Sequence, residues 1–467
     1  MIRGRERLKS WSWRKSVLTG TAVILLSASG TGAGVGAGII GTEQVAAAAS
    51  EVFMSYRTAD IAITMDKRLR LAEGLTLSEP TPVRYESGNQ AIARVTSEGL
   101  VIPVAPGKTN IWVHAAEAGN TGSLKIPVTV KATTASYKPV YAVKKVSVNG
   151  KSYSVQTVTI PKGMPVTVGL AGRRVGAVKQ LQEVAESYRA DAAINATYFE
   201  AYGGVPDPYG TIISDGVVEH IGNTGTSIGF KWDGSVVMDT LRVNIRGGIN
   251  GSDKHPNNWY AYFINRTPTK GAASAVLFTP KRGANVGFSY GKAVTIRNGV
   301  VTKNGGNANT AIPKDGYVLV FTGSEEKLAN RFKVGSKVHY NVSYTDAAGN
   351  SIDWSDVHTA VGAGPRLVKN GKLAVAPAKE GFSSPKILTA GGARSGIAVK
   401  KDGTIILAAV SGATINQWGQ IMLGLGAYQA MNMDGGASSG IYAGGGVKLK
   451  PGRDISNALV FSNNPKW

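Results

Sequence analysis

The stretch Thr414-Ile415-Asn416-Gln417-Trp418-Gly419-Gln420-Ile421-Met422-Leu423-Gly424-Leu425-Gly426, running on through Ala427-Tyr428-Gln429-Ala430-Met431-Asn432-Met433-Asp434-Gly435-Gly436, decides the fold class. Thr414 and Gln417 have the spacing of a capping box, in which the threonine hydroxyl covers an orphan N–H and the glutamine reaches back. Trp418, Ile421 and Leu425 fall on one face, and Gly426 is a natural stop, so the spacing predicts a helix over about 414–425. Ala427 to Met433 then reads as a short apolar strand that ends in a carboxylate and two glycines. A helix delivering the chain into a strand, in a sequence otherwise made of short β-branched runs between glycine turns, is an α+β pattern dominated by sheet.

Outward from that stretch the same pattern repeats. Tyr141–Val148 and Tyr153–Ile160 alternate as strands, and Asn149-Gly150 between them is a hairpin signal. Val166–Val168 continues the sheet, and Leu181–Tyr188 carries Leu181, Val184 and Ala185 on one helical face. Residues 141–467 therefore read as one sheet-dominated domain with a few helices, and 134–140 as a linker. Residues 51–133 read as a small all-β module, with runs at Asp60–Ile63, Pro82–Tyr85, Ile92–Val95, Thr109–Val113 and Ile126–Val130 spaced as in a sandwich.

Residues 1–50 read as a signal peptide: basic side chains from Arg3 to Lys15, an uncharged stretch from Ser16 to Thr42, and small residues at Ala46–Ser50. The alternative is an uncleaved anchor, against which stands the weakly apolar, glycine-rich run Gly32–Gly41. No later segment is apolar enough to span a bilayer, so no stable membrane span is expected after cleavage. The absence of cysteine removes thiol chemistry and disulfides. The expected location is secreted or cell-wall associated, in a Gram-positive-type bacterium. Net charge is +22, and removing residues 1–50, with six basic and two acidic side chains, leaves about +18. Scattered basic charge fits retention by an anionic cell-wall polymer or an anionic substrate. No basic stripe with interleaved aromatics argues for nucleic acid, and none is expected as partner.

The usual catalytic constellations are missing. The five histidines lie far apart, and no Gly-x-Ser-x-Gly elbow or P-loop is present. Four segments carry chemistry instead. In Ile194-Asn195-Ala196-Thr197-Tyr198-Phe199 a buried strand ends at an amide beside aromatic rings, where a sugar face could stack. In Val361-Gly362-Ala363-Gly364-Pro365-Arg366, Gly362 and Gly364 allow close backbone approach. Arg394 precedes a strand, and a guanidinium suits bidentate phosphate recognition. Asn432-Met433-Asp434-Gly435-Gly436-Ala437-Ser438-Ser439 presents a carboxylate followed by glycine amides and the hydroxyls of Ser438 and Ser439, a combination of acid–base group and anion nest. Each has a plainer reading as a turn, a strand end or a solvated charge.

Together and in this order, these segments and the closing Arg453-Asp454-Ile455-Ser456-Asn457-Ala458-Leu459 resemble the phosphodiester glycosidase family, whose domain also occurs in the enzyme that uncovers mannose 6-phosphate. The resemblance spans roughly 190–460. Ala196-Thr197 stand where that family has a double glycine, Ser395 where it has threonine, and Ala437 where it has a third glycine. The runs between Val83 and Ile111 give residues 51–133 a resemblance to the bacterial group 2 immunoglobulin-like family over about eighty residues.

The resemblance implies a hydrolase that cleaves a sugar-1-phosphodiester at the anomeric carbon of a cell-wall or extracellular glycan. Asp434 would act as nucleophile or base, Arg394 would hold phosphate, and Asn195 would orient a sugar hydroxyl. Tyr198 would stack on the ring, with Asp207 a weaker second carboxylate; Gly362, Gly364, Asn432, Gly435, Gly436, Ser438 and Ser439 would complete the binding site. The expected partner is a glycan or sugar-phosphate substrate. No cofactor is expected to be required, though a divalent cation is not excluded and no metal ligand is identified. The alternatives are a non-catalytic wall- or glycan-binding surface protein and a metal-assisted phosphodiesterase.

Overall fold

A computed structural model describes residues 50–96, 98–115, 120–133 and 136–466. The predicted signal peptide lies outside them except for Ser50, as do Thr134 and Ala135 of the predicted linker.

The fold is α+β and dominated by sheet. Two sheets form its centre. One has seven strands, in the spatial order Val140–Val148, Lys151–Ile160, Ile405–Ala413, Gly392–Val399, Gln429–Asn432, Arg366–Lys369 and Lys372–Leu373. The other has five: Val166–Leu170, Asn457–Phe461, Ala192–Asn195, Ile441–Ala443 and Gly446–Leu449. Their facing side chains make one core, with Ile397, Leu407 and Met431 from the first and Ile194, Leu459 and Phe461 from the second. The two-residue period of a strand sends alternate side chains to the outer faces. There Ala398, Ile406 and Ala408 pack under Trp418, Ile421 and Met422 of the helix Ile415–Gly424. Ala193, Ala458 and Val460 pack under Leu181, Val184 and Ala185 of the helix Leu181–Ser187. The layers are therefore helix, sheet, sheet, helix.

Both helices sit where the apolar spacing placed them, because capping and periodicity are local. Thr414 caps the later helix through its hydroxyl to the Gln417 N–H, with Gln417 reciprocating to the Thr414 N–H at 2.9 Å. Asn149 and Gly150 carry φ of 48° and 78°, as a tight hairpin turn requires.

A third sheet, Val217–His220, Ile212–Ser214, Val357–Gly362, Ser227–Lys231 and Val236–Asp239, adds one face to the central core. Its other face packs on a second core shared with two further sheets between residues 242 and 345. The described residues between 50 and 131 form short strands around a separate apolar cluster that includes Ile61, Leu71, Val101, Ile111 and Val128. Arg68 ties this segment to the third sheet: it pairs with Asp215 and meets His358 Nδ1 at 2.9 Å. Its guanidinium also lies 4.9 Å from the Trp232 ring centroid.

Among the described residues no helix is long and apolar enough to cross a membrane.

Candidate active site

The chain crosses from the seven-stranded to the five-stranded sheet between Gln429–Asn432 and Ile441–Ala443, and the crossing loop carries Asp434. Both sheets hold this loop. Met433 N–H donates to Ser395 O at 2.9 Å on one side, and Asp434 N–H to Ala196 O at 2.9 Å on the other. Asn195, at the end of its strand, fixes both ends of the loop: its amide donates to Asp434 O at 2.7 Å and accepts from Gly440 N–H at 3.0 Å. Gly435 passes so close to the neighbouring strand that a Cβ there would lie 2.7 Å from Ala393 O. Gly436 has φ of 60°, a conformation that favours glycine.

The loop opens onto a cleft of about 870 Å³, lined among others by Tyr198, Phe382, Lys386, Arg394, Asp434 and Arg453. That volume accommodates a saccharide-sized ligand. Asp434 is the one carboxylate among the lining residues, which also include four cations: Arg266, Lys386, Arg394 and Arg453. Asp434 keeps part of its surface open to the cleft while protein packs around its carboxyl. Burial pushes that carboxyl up to about 7, against the opposing pull of Ser438, the Gly435 backbone and Arg453. Such a group exchanges a proton near neutral pH, the property general acid–base chemistry needs.

Arg394 follows a break in strand register between Gly392 and Arg394, an irregularity that re-aims a side chain. It is 5% exposed. Its partners are three backbone carbonyls: Ala413 at 3.0 Å, Lys386 at 3.0 Å and Ala390 at 2.6 Å. No carboxylate among the described residues neutralises it. Burial lowers its pKa from the ordinary value, with the Tyr198 phenol acting the other way. A buried cation held only by carbonyl dipoles retains its full charge for an anionic ligand.

Tyr198 forms another wall. Its hydroxyl donates to Gly364 O at 3.0 Å and accepts from Asn432 Nδ2 at 2.7 Å. Its ring meets Phe382 edge-on at 6.0 Å between centroids. Burial and the neighbouring Asp434 both raise the Tyr198 phenol above its usual value, so it stays neutral. Phe382 belongs to a segment between residues 377 and 391 that covers one side of the cleft. Glu380 anchors this segment, accepting from Arg366 N–H and Thr226 Oγ1, each at 2.7 Å.

Of the residues singled out by sequence, Tyr198, Arg394, Asp434, Gly435, Gly436 and Ser438 line the cleft. Asn195 does not. It is 1% exposed and spent on backbone, so it positions the Asp434 loop instead of meeting a sugar hydroxyl. Asn432 is likewise buried behind the site and holds Tyr198 in place. Gly362 and Gly364 serve packing: a Cβ would lie 2.7 Å from Thr211 N at the first and 2.6 Å from Thr226 N at the second. Ala363, between them, lines the cleft in their stead. Ser439 is buried, and its hydroxyl has no hydrogen-bond partner among the described residues. Asp207 is also buried, away from the cleft lining, in an ion pair with Arg282, and it accepts from Thr267 N–H at 2.6 Å.

Arg453, Arg266, Lys386 and Phe382 were missed as site residues. Arg453 was legible, since its segment carries part of the family resemblance. The others lack a local signal, because long-range packing alone brings them to the cleft. Among the described residues no group of three or more His, Asp or Glu side chains is gathered as a metal site.

Residues 290–462 match the model of the phosphodiester glycosidase family. No curated protein sequence matches the chain. Among solved structures, a hypothetical protein from Synechocystis aligns at 21% identity, covering 82% of this chain and 80% of its own, with a TM-score of 0.61. A putative exported protein from Burkholderia pseudomallei aligns at 20% identity over 67% of this chain and 74% of its own, with a TM-score of 0.55. These two share the fold. The zebrafish N-acetylglucosamine-1-phosphodiester alpha-N-acetylglucosaminidase catalytic domain, auto-inhibited by its pro-peptide, aligns at 13% identity over 70% and 83%, with a TM-score of 0.37. At that score its backbone adds nothing to the comparison.

Proposed function

We propose that this chain, whose residues 290–462 match the phosphodiester glycosidase family, is an exported hydrolase that cleaves a sugar-1-phosphodiester of an extracellular or cell-wall glycan. The observation that carries this reading is the pairing, in one cleft, of a lone carboxylate poised near neutrality with a buried guanidinium that no carboxylate neutralises.

Glycosidases that expel a sugar alkoxide ordinarily need two carboxylic groups, one of them to protonate the leaving oxygen. A phosphomonoester, whose second pKa is about 6, leaves with far less help. One carboxylate plus cations on the departing phosphate is therefore a sufficient set. In the proposed step Asp434 accepts a proton from water, and the water oxygen bonds to the anomeric carbon. The bond from that carbon to the phosphate oxygen breaks, and its electron pair leaves with the phosphomonoester. Arg394 and Arg453 stabilise the charge that gathers there. Asn195 and Asn432 keep Asp434 and Tyr198 in place, and Tyr198 and Phe382 offer ring faces to the sugar.

Export rests on the signal-like residues 1–50 and on the basic charge of the chain. The immunoglobulin-like reading of residues 51–133 belongs to the same proposal, as a module that carries the catalytic domain on the cell surface.

Hydrolysis of a hexose-1-phosphodiester in water labelled with oxygen-18 tests the reaction. The label is expected on the sugar. Label in the phosphate would mean attack at phosphorus and a phosphodiesterase. Absence of turnover across a panel of sugars would favour a glycan-binding protein.

A further inference from the structure

The cleft does not end at the catalytic loop. Thr224 and Arg266 line it and also line a second groove of about 650 Å³, so the two adjoin. The second groove is lined by two paired strands of one sheet, Trp259–Ala261 and Arg242–Ile249. Arg246 pairs directly with Tyr260 across the first two strands, and the period of two puts Asn244 on the same face as Arg246.

Tyr262, one position past the strand, is 44% exposed in this groove. Its ring is held in place: its hydroxyl donates to Glu325 Oε1 at 3.2 Å, Tyr260 donates to Glu325 Oε2 at 2.7 Å, and the two rings lie 5.2 Å apart. An exposed aromatic ring with a tethered hydroxyl is a stacking platform with little rotamer entropy left to lose. Two cations line the same groove. Arg266 lies over Phe263 at 4.5 Å with no ion pair or hydrogen bond among the described residues, and Arg246 is exposed and likewise without a partner. Among the described residues no carboxylate lines the groove, and Glu325 is engaged by the two tyrosine hydroxyls. A further groove that shares Arg453 with the cleft is lined by Glu200 and Asp454, so its charge differs from that of the groove at Arg266.

We infer that the groove from Arg266 to Tyr262 and Arg246 is a binding arm for the continuing chain of the substrate. It would take a polymer of sugars joined by phosphodiesters, with rings seating sugars and guanidiniums seating the phosphates between them. This rests on the glycosyl-phosphodiester reading of the Asp434 cleft and specifies it: the substrate is a repeating anionic chain, not a single glycosyl phosphate. Residues 244–266 precede the segment that matches the family, so the arm is built by a different part of the chain from the Asp434 loop.

The test uses the full chain carrying Asp434→Asn, so that binding is measured without turnover. The probes are hexose-1-phosphate oligomers joined by phosphodiesters and capped as the methyl phosphodiester, so that the single repeat also carries a glycosyl phosphodiester, with one to six repeats, and a neutral oligosaccharide of the same sugar and length. The hexamer is expected to bind about tenfold or more tightly than the single repeat. Arg246→Ala and Tyr262→Ala should each remove most of that gain and leave the single repeat unchanged, whereas Tyr262→Phe should keep it. Length-independent affinity, a gain that survives both alanine variants, or an equal gain for the neutral chain would overturn the proposal. Wild-type turnover of the single repeat separates the two readings. Turnover without a length gain sinks the arm alone, and a groove-dependent length gain without turnover sinks the hydrolase alone.

Discussion

Arg282 and Arg394 are both 5% exposed, and their surroundings are opposite. Arg282 is saturated: it pairs with Asp207 and donates to Thr267 Oγ1 at 2.6 Å, Asn265 O at 3.3 Å and Val286 O at 3.3 Å. Arg394 has carbonyls alone and lines a cleft. The carboxylates divide the same way. Asp207 is consumed by its arginine and a backbone amide, whereas Asp434 keeps an open side and a proton affinity raised to about 7. A buried ion pair whose partners are all internal holds loops together. A buried charge left uncompensated costs stability, and one retained beside a cleft marks a candidate site for a ligand of opposite charge.

Substitutions at the two pairs should separate these roles. Asp434→Asn is expected to lower turnover of a sugar-1-phosphodiester by at least about 1,000-fold, equivalent to roughly 4 kcal/mol of barrier, while the chain still unfolds cooperatively. Retained turnover would remove Asp434 from the reaction. Asp207→Asn should do the reverse. By leaving Arg282 buried and unpaired it should cost about 3–5 kcal/mol in denaturant unfolding, with turnover per folded molecule nearly unchanged; a pure activity loss would erase the contrast between the pairs. Arg394→Lys keeps the charge but loses the planar fork, and should lower turnover about 100-fold with little change in unfolding midpoint.

Smaller effects follow pH. As a base Asp434 must be ionised, so turnover should rise with pH through about 7, and a falling profile there would make it an acid instead. Stability should move the other way. The folded pKa of about 7 lies above the ordinary 3.8, so the folded state holds the proton more tightly. This contribution is complete below about 4, declines as pH rises through 7, and is flat above. Asp434→Asn lacks it. Its Tm should exceed that of the wild type at pH 8 and converge toward it near pH 4, which scanning calorimetry at the two pH values would read.

The comparison also marks how far the sequence was legible. The helix capped by Thr414, the hairpin at Asn149-Gly150 and the strand run into Asp434 could all be read, since each depends on residues within a few positions of one another. Asp434 and Arg394 were recognisable by chemical type and order along the chain. Asn195 was given the wrong task, because a buried amide spent on the Asp434 loop and an exposed one facing a sugar look the same in sequence. Gly362 and Gly364 likewise look like ligand contacts in sequence, whereas the close neighbour is another stretch of backbone. Arg266 and Phe382 gave no signal.

The sequence by itself determined the elements and the inventory of this protein. Periodicity, capping and turn chemistry are short-range, and they specified a sheet-rich α+β chain with a carboxylate at a strand end. Only the tertiary structure decided which charges were spent. Whether an arginine meets a carboxylate from 75 positions away, as Arg282 does, or only three carbonyls, as Arg394 does, depends on strand pairings between distant segments. The interaction energy of two charges is set by separation and burial, and neither is written in local sequence.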